Sequence, residues 1–122
     1  MVNLKSLSFA NNNYILGHCL YSLTKLTHID IQGCDYVTDN DLINLVNIEH
    51  FTVGSNPNIY GNCLNSMKNL KTLEVCEYTK LDFNCIPTNL QVIVYRTTVP
   101  NGFPTYCMRK FNLLTLIYIF FV

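Results

Sequence analysis

The stretch Leu26-Thr27-His28-Ile29-Asp30-Ile31-Gln32-Gly33-Cys34 carries apolar residues at its first, fourth and sixth places. A spacing of two puts Ile29 and Ile31 on one face of a strand and leaves His28, Asp30 and Gln32 on the other. The same phrase, with any apolar residue in the three places, occurs four more times. It stands at Leu4, Leu7 and Phe9, then at Ile48, Phe51 and Val53. It returns at Leu70, Leu73 and Val75, and again at Leu90, Ile93 and Tyr95. Successive starts are 22, 22, 22 and 20 residues apart. With about half of all residues apolar, chance fills fifteen such places with a probability of roughly 10⁻⁵.

The period reaches beyond the phrase. Asn precedes its first apolar residue at Asn3, Asn47, Asn69 and Asn89, and Lys25 is the exception. Sixteen places into each of the first four units stands Cys19-Leu20, Asp41-Leu42, Cys63-Leu64 or Cys85-Ile86, and Leu23, Leu45 and Met67 follow three places later in the first three. Each unit thus has one apolar cluster with strand spacing and one with the spacing of a short helix or 3-10 turn. The units run over about 3–24, 25–46, 47–68, 69–88 and 89–111, within a single domain spanning 1–122.

The longer pattern Leu-x-x-Leu-x-Leu-x-x-Asn/Cys is complete at Leu4 to Asn12, Leu26 to Cys34 and Ile48 to Asn56, while Tyr78 and Thr98 take its last place in the fourth and fifth units. On these residues the chain resembles the leucine-rich repeat family over residues 3 to about 100. Its second unit, with Val37-Thr38-Asp39 and Leu42, is similar to the cysteine-containing repeats found beside F-box domains. The 22-residue period is similar to the shorter repeats of bacterial internalins. The resemblance implies an α/β solenoid: a short right-handed superhelix with a parallel concave sheet and short helical, 3-10 or irregular convex segments. It also implies that Asn12 and Asn56 bind backbone groups inside the turn that leaves each strand.

The burial needs of a short repeating unit lead to the same architecture. A 22-residue unit buries its strand residues only against its own return segment and its neighbours, so stacking supplies the core. Strands entered from one direction pair in parallel. Thr38-Asp39-Asn40-Asp41 reads as a capping box before Leu42, which predicts a short helix there. Pro57 and Pro87 predict less regular convex segments in the third and fourth units.

Composition narrows the function. The 122 residues are 49% apolar and 13% charged, with eight basic and eight acidic side chains, which fits one compact domain and not a disordered chain. The absence of net charge argues against a nucleic-acid partner. No signal peptide is visible at Met1-Val2-Asn3-Leu4-Lys5. None of the sixteen Asn residues is followed two places on by Ser or Thr. The expected location is therefore intracellular, cytoplasmic or nuclear. The six cysteines form no Cys-x-x-Cys pair, so thiols are expected in place of zinc or disulfides. Cys19, Cys63 and Cys85 share one repeat position and read as small buried residues, the last two as stacked neighbours.

Residues alternating with the apolar places fall into rows. Ser6, His28, His50, Thr72 and Val92 form one; Ser8, Asp30, Thr52, Glu74 and Val94 form the next; Ala10, Gln32, Gly54, Cys76 and Arg96 form a third. These rows make the concave face, on which solenoids bind partners. His28 and His50 beside Asp30 and Glu74 raise a metal-hydrolase alternative, but no enzyme motif is present and no cofactor is implied.

The expected function is a non-enzymatic module that binds a protein partner on its concave face. Three alternatives accompany it. One is a substrate-recognition arm of an F-box-like ubiquitin ligase whose adaptor is supplied in trans. The second is a fragment of a longer array, or a chain that self-associates through uncapped ends. The third is membrane association through the apolar tail Phe111 to Val122, which is too short to span a bilayer as a helix. That tail also repeats the phrase from Asn112-Leu113 on, 23 residues after Leu90, and reads as a truncated sixth strand over 112–122.

Overall fold

The apolar alternation becomes an open sheet of six strands in sequence order, every neighbouring pair parallel. The computed structural model describes residues 3–12, 17–87, 90–97 and 116–121. Asn89, Thr98 and Cys107 lie outside the described residues, as do residues 111–115 and Val122 of the apolar tail. The strands are β1 (Ser6–Ser8), β2 (His28–Asp30), β3 (His50–Gly54), β4 (Thr72–Cys76), β5 (Val92–Thr97) and β6 (Leu116–Phe121). Between them run a 3-10 turn at Gly17–Leu20, helix α1 at Asp39–Leu42, and 3-10 turns at Asn62–Ser66 and Phe83–Cys85. The arrangement is compatible with a solenoid-like α/β fold.

Register follows the sequence period. Leu7 pairs with Ile29, Ile29 with Phe51, Phe51 with Leu73 and Leu73 with Ile93. Ile29, Phe51, Leu73 and Ile93 are each no more than 3% exposed. The core is completed from the opposite side by Leu20, Leu42, Leu64 and Ile86 on the connecting segments, all buried. Leu26, Ile48 and Leu70, which open three successive phrases, are buried in the same hydrophobic cluster.

The helix in the second unit starts where its capping residues predict. The Asp41 carboxylate accepts from the Thr38 backbone N–H at 2.9 Å and from the Thr38 hydroxyl at 3.0 Å. Both bonds hold the first turn against fraying. The third and fourth units carry only 3-10 turns in the corresponding place.

Turns leaving the strands are tied across units by side chains. Buried Asn56 donates from Nδ2 to the Cys34 carbonyl at 2.8 Å, and its Oδ1 accepts from the Asn58 N–H at 2.8 Å. Cys34, in the corresponding place one unit earlier, donates its thiol to the Phe9 carbonyl at 2.8 Å. A small donor that reaches the preceding carbonyl is what this position requires. Tyr78, next in the series, is instead 81% exposed with φ +67°. The turn there closes through Thr79, whose N–H reaches the Cys76 carbonyl and whose hydroxyl accepts from Leu81.

Three expectations are corrected. The third row breaks at Gly54, which pairs with Val75 after a bulge that follows Thr52, is buried and has φ +67°. A side chain there would be strained, and a Cβ would stand 2.7 Å from Gln32 Cγ. Ala10 and Gln32 lie past the ends of β1 and β2. Cys19 is exposed on a turn that packs against α1. Cys63 is buried as expected and Cys85 is half-buried. Finally, the Leu113 alignment would set Leu116 opposite Ile93, whereas the partner of Ile93 is Ile117. Apolar residues fill nearly every place from Leu113 onward, so alternation does not distinguish registers one residue apart.

Candidate binding surface

The sheet face turned away from the core gathers the first two rows. Ser6, His28, His50, Thr72 and Val92 are consecutive cross-strand partners, as are Ser8, Asp30, Thr52, Glu74 and Val94. Parallel strands stand about 4.8 Å apart, so each row sets side chains from successive units in contact range. Of the third row, Cys76 and Arg96 are partners on β4 and β5, and half-buried Gln32 covers Gly54 from the turn after β2. This face is half-buried to exposed from Ser6 to Val94, in contrast to the sealed opposite face.

The polar centre is internally connected. The His28 and His50 rings stack with centroids 4.3 Å apart and planes tilted by 36°. His50 Nδ1 lies 2.6 Å from the Thr72 hydroxyl, and His28 Nδ1 lies 2.8 Å from the Thr27 hydroxyl. The Ser8 hydroxyl donates to Asp30 at 3.4 Å, whose other oxygen accepts from the Gln32 N–H at 2.9 Å. Glu74 forms an ion pair with Arg96 on the next strand. Both carboxylates therefore have partners of their own. Among the described residues no three of His, Cys, Asp and Glu converge on a point that could hold a metal ion.

Burial, and after it the nearby charge of His28, holds the His50 imidazole below its ordinary value of 6.5. The folded chain therefore takes up this proton at lower pH than the unfolded chain. The effect on stability is absent above the unfolded value. Stability falls as the pH drops from 6.5 towards the lowered folded value and levels off beneath it. His50→Gln is expected to flatten that part of the pH profile in urea titrations run from about pH 7.5 to 5. The His50 ring protons, followed by NMR, are expected to titrate with a midpoint below 6.5.

Three of the described thiols are poor nucleophiles. Burial pushes Cys34, Cys63 and Cys76 up from the ordinary thiol value, which lowers the thiolate fraction that reactivity needs.

Two features escaped the sequence reading. Asp39 is buried and accepts from the backbone N–H groups of Tyr60 at 2.7 Å, Gly61 at 3.1 Å and Cys63 at 3.0 Å. It is a structural anchor between the second and third units. The second feature is a groove of about 700 Å³ along the edge where the strands enter the sheet, lined by Lys5, Lys25, Lys68 and Lys71. Lys5 and Lys71 are three periods apart, so their alignment was present in the spacing. Lys68 follows the turn Asn62–Ser66 and gave no periodic signal.

No helix among the described residues is long and apolar enough to cross a membrane. No family model, curated protein or solved structure matches the chain.

Proposed function

We propose that the chain is a leucine-rich repeat module, a short right-handed solenoid, and that its function is to bind another protein on the exposed sheet face without catalysing a reaction. The observation that carries this reading is the register: strands 22, 22, 22 and 20 residues apart pair in parallel with the same phase. An all-parallel sheet normally has both faces covered by helices. Here the connecting segments seal one face, and the other offers two rows of side chains at half-buried to exposed positions. That one-sided arrangement suits a solenoid, whose open face is its usual contact surface.

The face has the chemistry of a partner surface. His28, His50, Thr52 and Thr72 supply donors and acceptors at its centre, Glu74 and Arg96 a paired charge, and Val92 and Val94 an apolar end. Hydrogen bonds within the face fix these side chains before contact, which reduces the ordering cost of association. Site-specific photocrosslinking tests the reading. A benzophenone side chain in place of Thr52 is expected to capture a discrete partner in cells, and one in place of exposed Asn44 is not. Crosslinks from Asn44 and none from Thr52 would move the binding surface to the other side of the molecule.

A further inference from the structure

We infer that the groove at the strand-entry edge binds an extended acidic peptide, on a surface separate from the sheet face. Four of the eight basic residues of the chain line this groove, and all four are exposed. Glu49 is the one acid among the lining residues, and it is bridged by Lys71 at 2.6 Å, which holds its carboxyl below the usual range. The remaining acids are placed elsewhere. Asp30 and Glu74 lie on the sheet face, and Asp35, Asp39, Asp41, Glu77 and Asp82 lie beyond the strand exits. A chain without net charge thus concentrates positive charge along one edge. Such a groove attracts negative groups, and the attraction is weakened by salt.

Geometry narrows the partner. Lys5 and Lys71 hold the same place immediately before β1 and β4. Three strand steps separate them, about 14 Å at ~4.8 Å per step. An extended peptide advances about 3.4 Å per residue, so acidic side chains four residues apart match the two ends. Glu49 stands before β3, between the ends, and disfavours an acidic residue in the middle of the peptide. The floor is held in place by Asn47, which donates to the Thr24 carbonyl at 2.9 Å, and by Thr27, whose hydroxyl donates to the Lys5 carbonyl at 3.2 Å. Each lysine supplies a flexible point charge suited to a carboxylate.

Fluorescence anisotropy with labelled Glu-Glu-Ser-Gly-Glu-Glu tests the inference, with Gln-Gln-Ser-Gly-Gln-Gln as the neutral control. The acidic peptide is expected to bind saturably and to weaken as salt rises, and the neutral peptide not to bind. Combining Lys5→Ala, Lys25→Ala and Lys68→Ala is expected to raise Kd about tenfold, from ordinary surface pairings. The same three positions changed to Arg should retain binding, and Lys80→Ala, at an exposed lysine outside the groove, should leave Kd unchanged. Equal affinity for both peptides, or an unchanged Kd in the triple Ala variant, overturns the inference. So does tighter binding of a single-stranded oligonucleotide through the same lysines, which would make the ligand a nucleic acid. Crosslinking at Thr52 reports on the sheet face independently, so the two readings can fail separately.

Discussion

Asp39→Ala is expected to lower the unfolding free energy by about 3 kcal/mol or more, a large part of the total stability of a small domain. The buried carboxylate receives three backbone N–H groups, from Tyr60 and Gly61 before the turn Asn62–Ser66 and from Cys63 within it. Hydrogen bonds to a charged acceptor contribute more than neutral ones, and their loss leaves donors with no partner inside the protein. Gly61 and Cys63 are themselves buried, so water does not readily replace the lost oxygen for them. Asp39→Asn keeps one acceptor oxygen without the charge, and is expected to cost roughly half as much. Urea titrations measure both changes. Hydrogen exchange should show the amides of Tyr60, Gly61 and Cys63 losing protection first. A loss below about 1 kcal/mol in the alanine variant would mean that the carboxylate is dispensable to the fold.

Phe51→Ala is expected to cost about 4 kcal/mol, whereas Thr52→Ala should change stability by no more than about 0.5 kcal/mol. The two residues are adjacent on β3, yet Phe51 is 1% exposed between Ile29 and Leu73, while Thr52 lies on the open face between Asp30 and Glu74. Removing the ring forfeits its burial and leaves a cavity that packed neighbours fill only in part. Similar costs at the two positions would contradict the two-faced sheet on which the proposed binding surface depends.

The sequence was most informative where burial repeats. Leu26, Ile48 and Leu70, and then Ile29, Phe51 and Leu73, recur at constant spacing, and hydrophobic burial depends mainly on which face a residue occupies. For this reason strand phase and the two outward rows are legible in the amino-acid order. The Thr38 and Asp41 cap was legible too, since its partners are three residues apart.

The bond partners of Asp39, the bulge at Gly54 and the exposure of Cys19 came from the tertiary structure. Hydrogen-bond acceptance depends on distances of a few tenths of an ångström across neighbouring units, which residue type and spacing do not encode. The register of β6 and the charged groove have related origins. A segment apolar at nearly every place permits more than one pairing, and lysines from separate units make one surface only after the strands are laid side by side. The amino-acid order alone thus determined which side chains share the interior, because that choice is made by periodic apolar burial. Folding in three dimensions decided which polar groups meet, because short-range directional bonds and converging charges require the positions of chain segments about twenty residues apart.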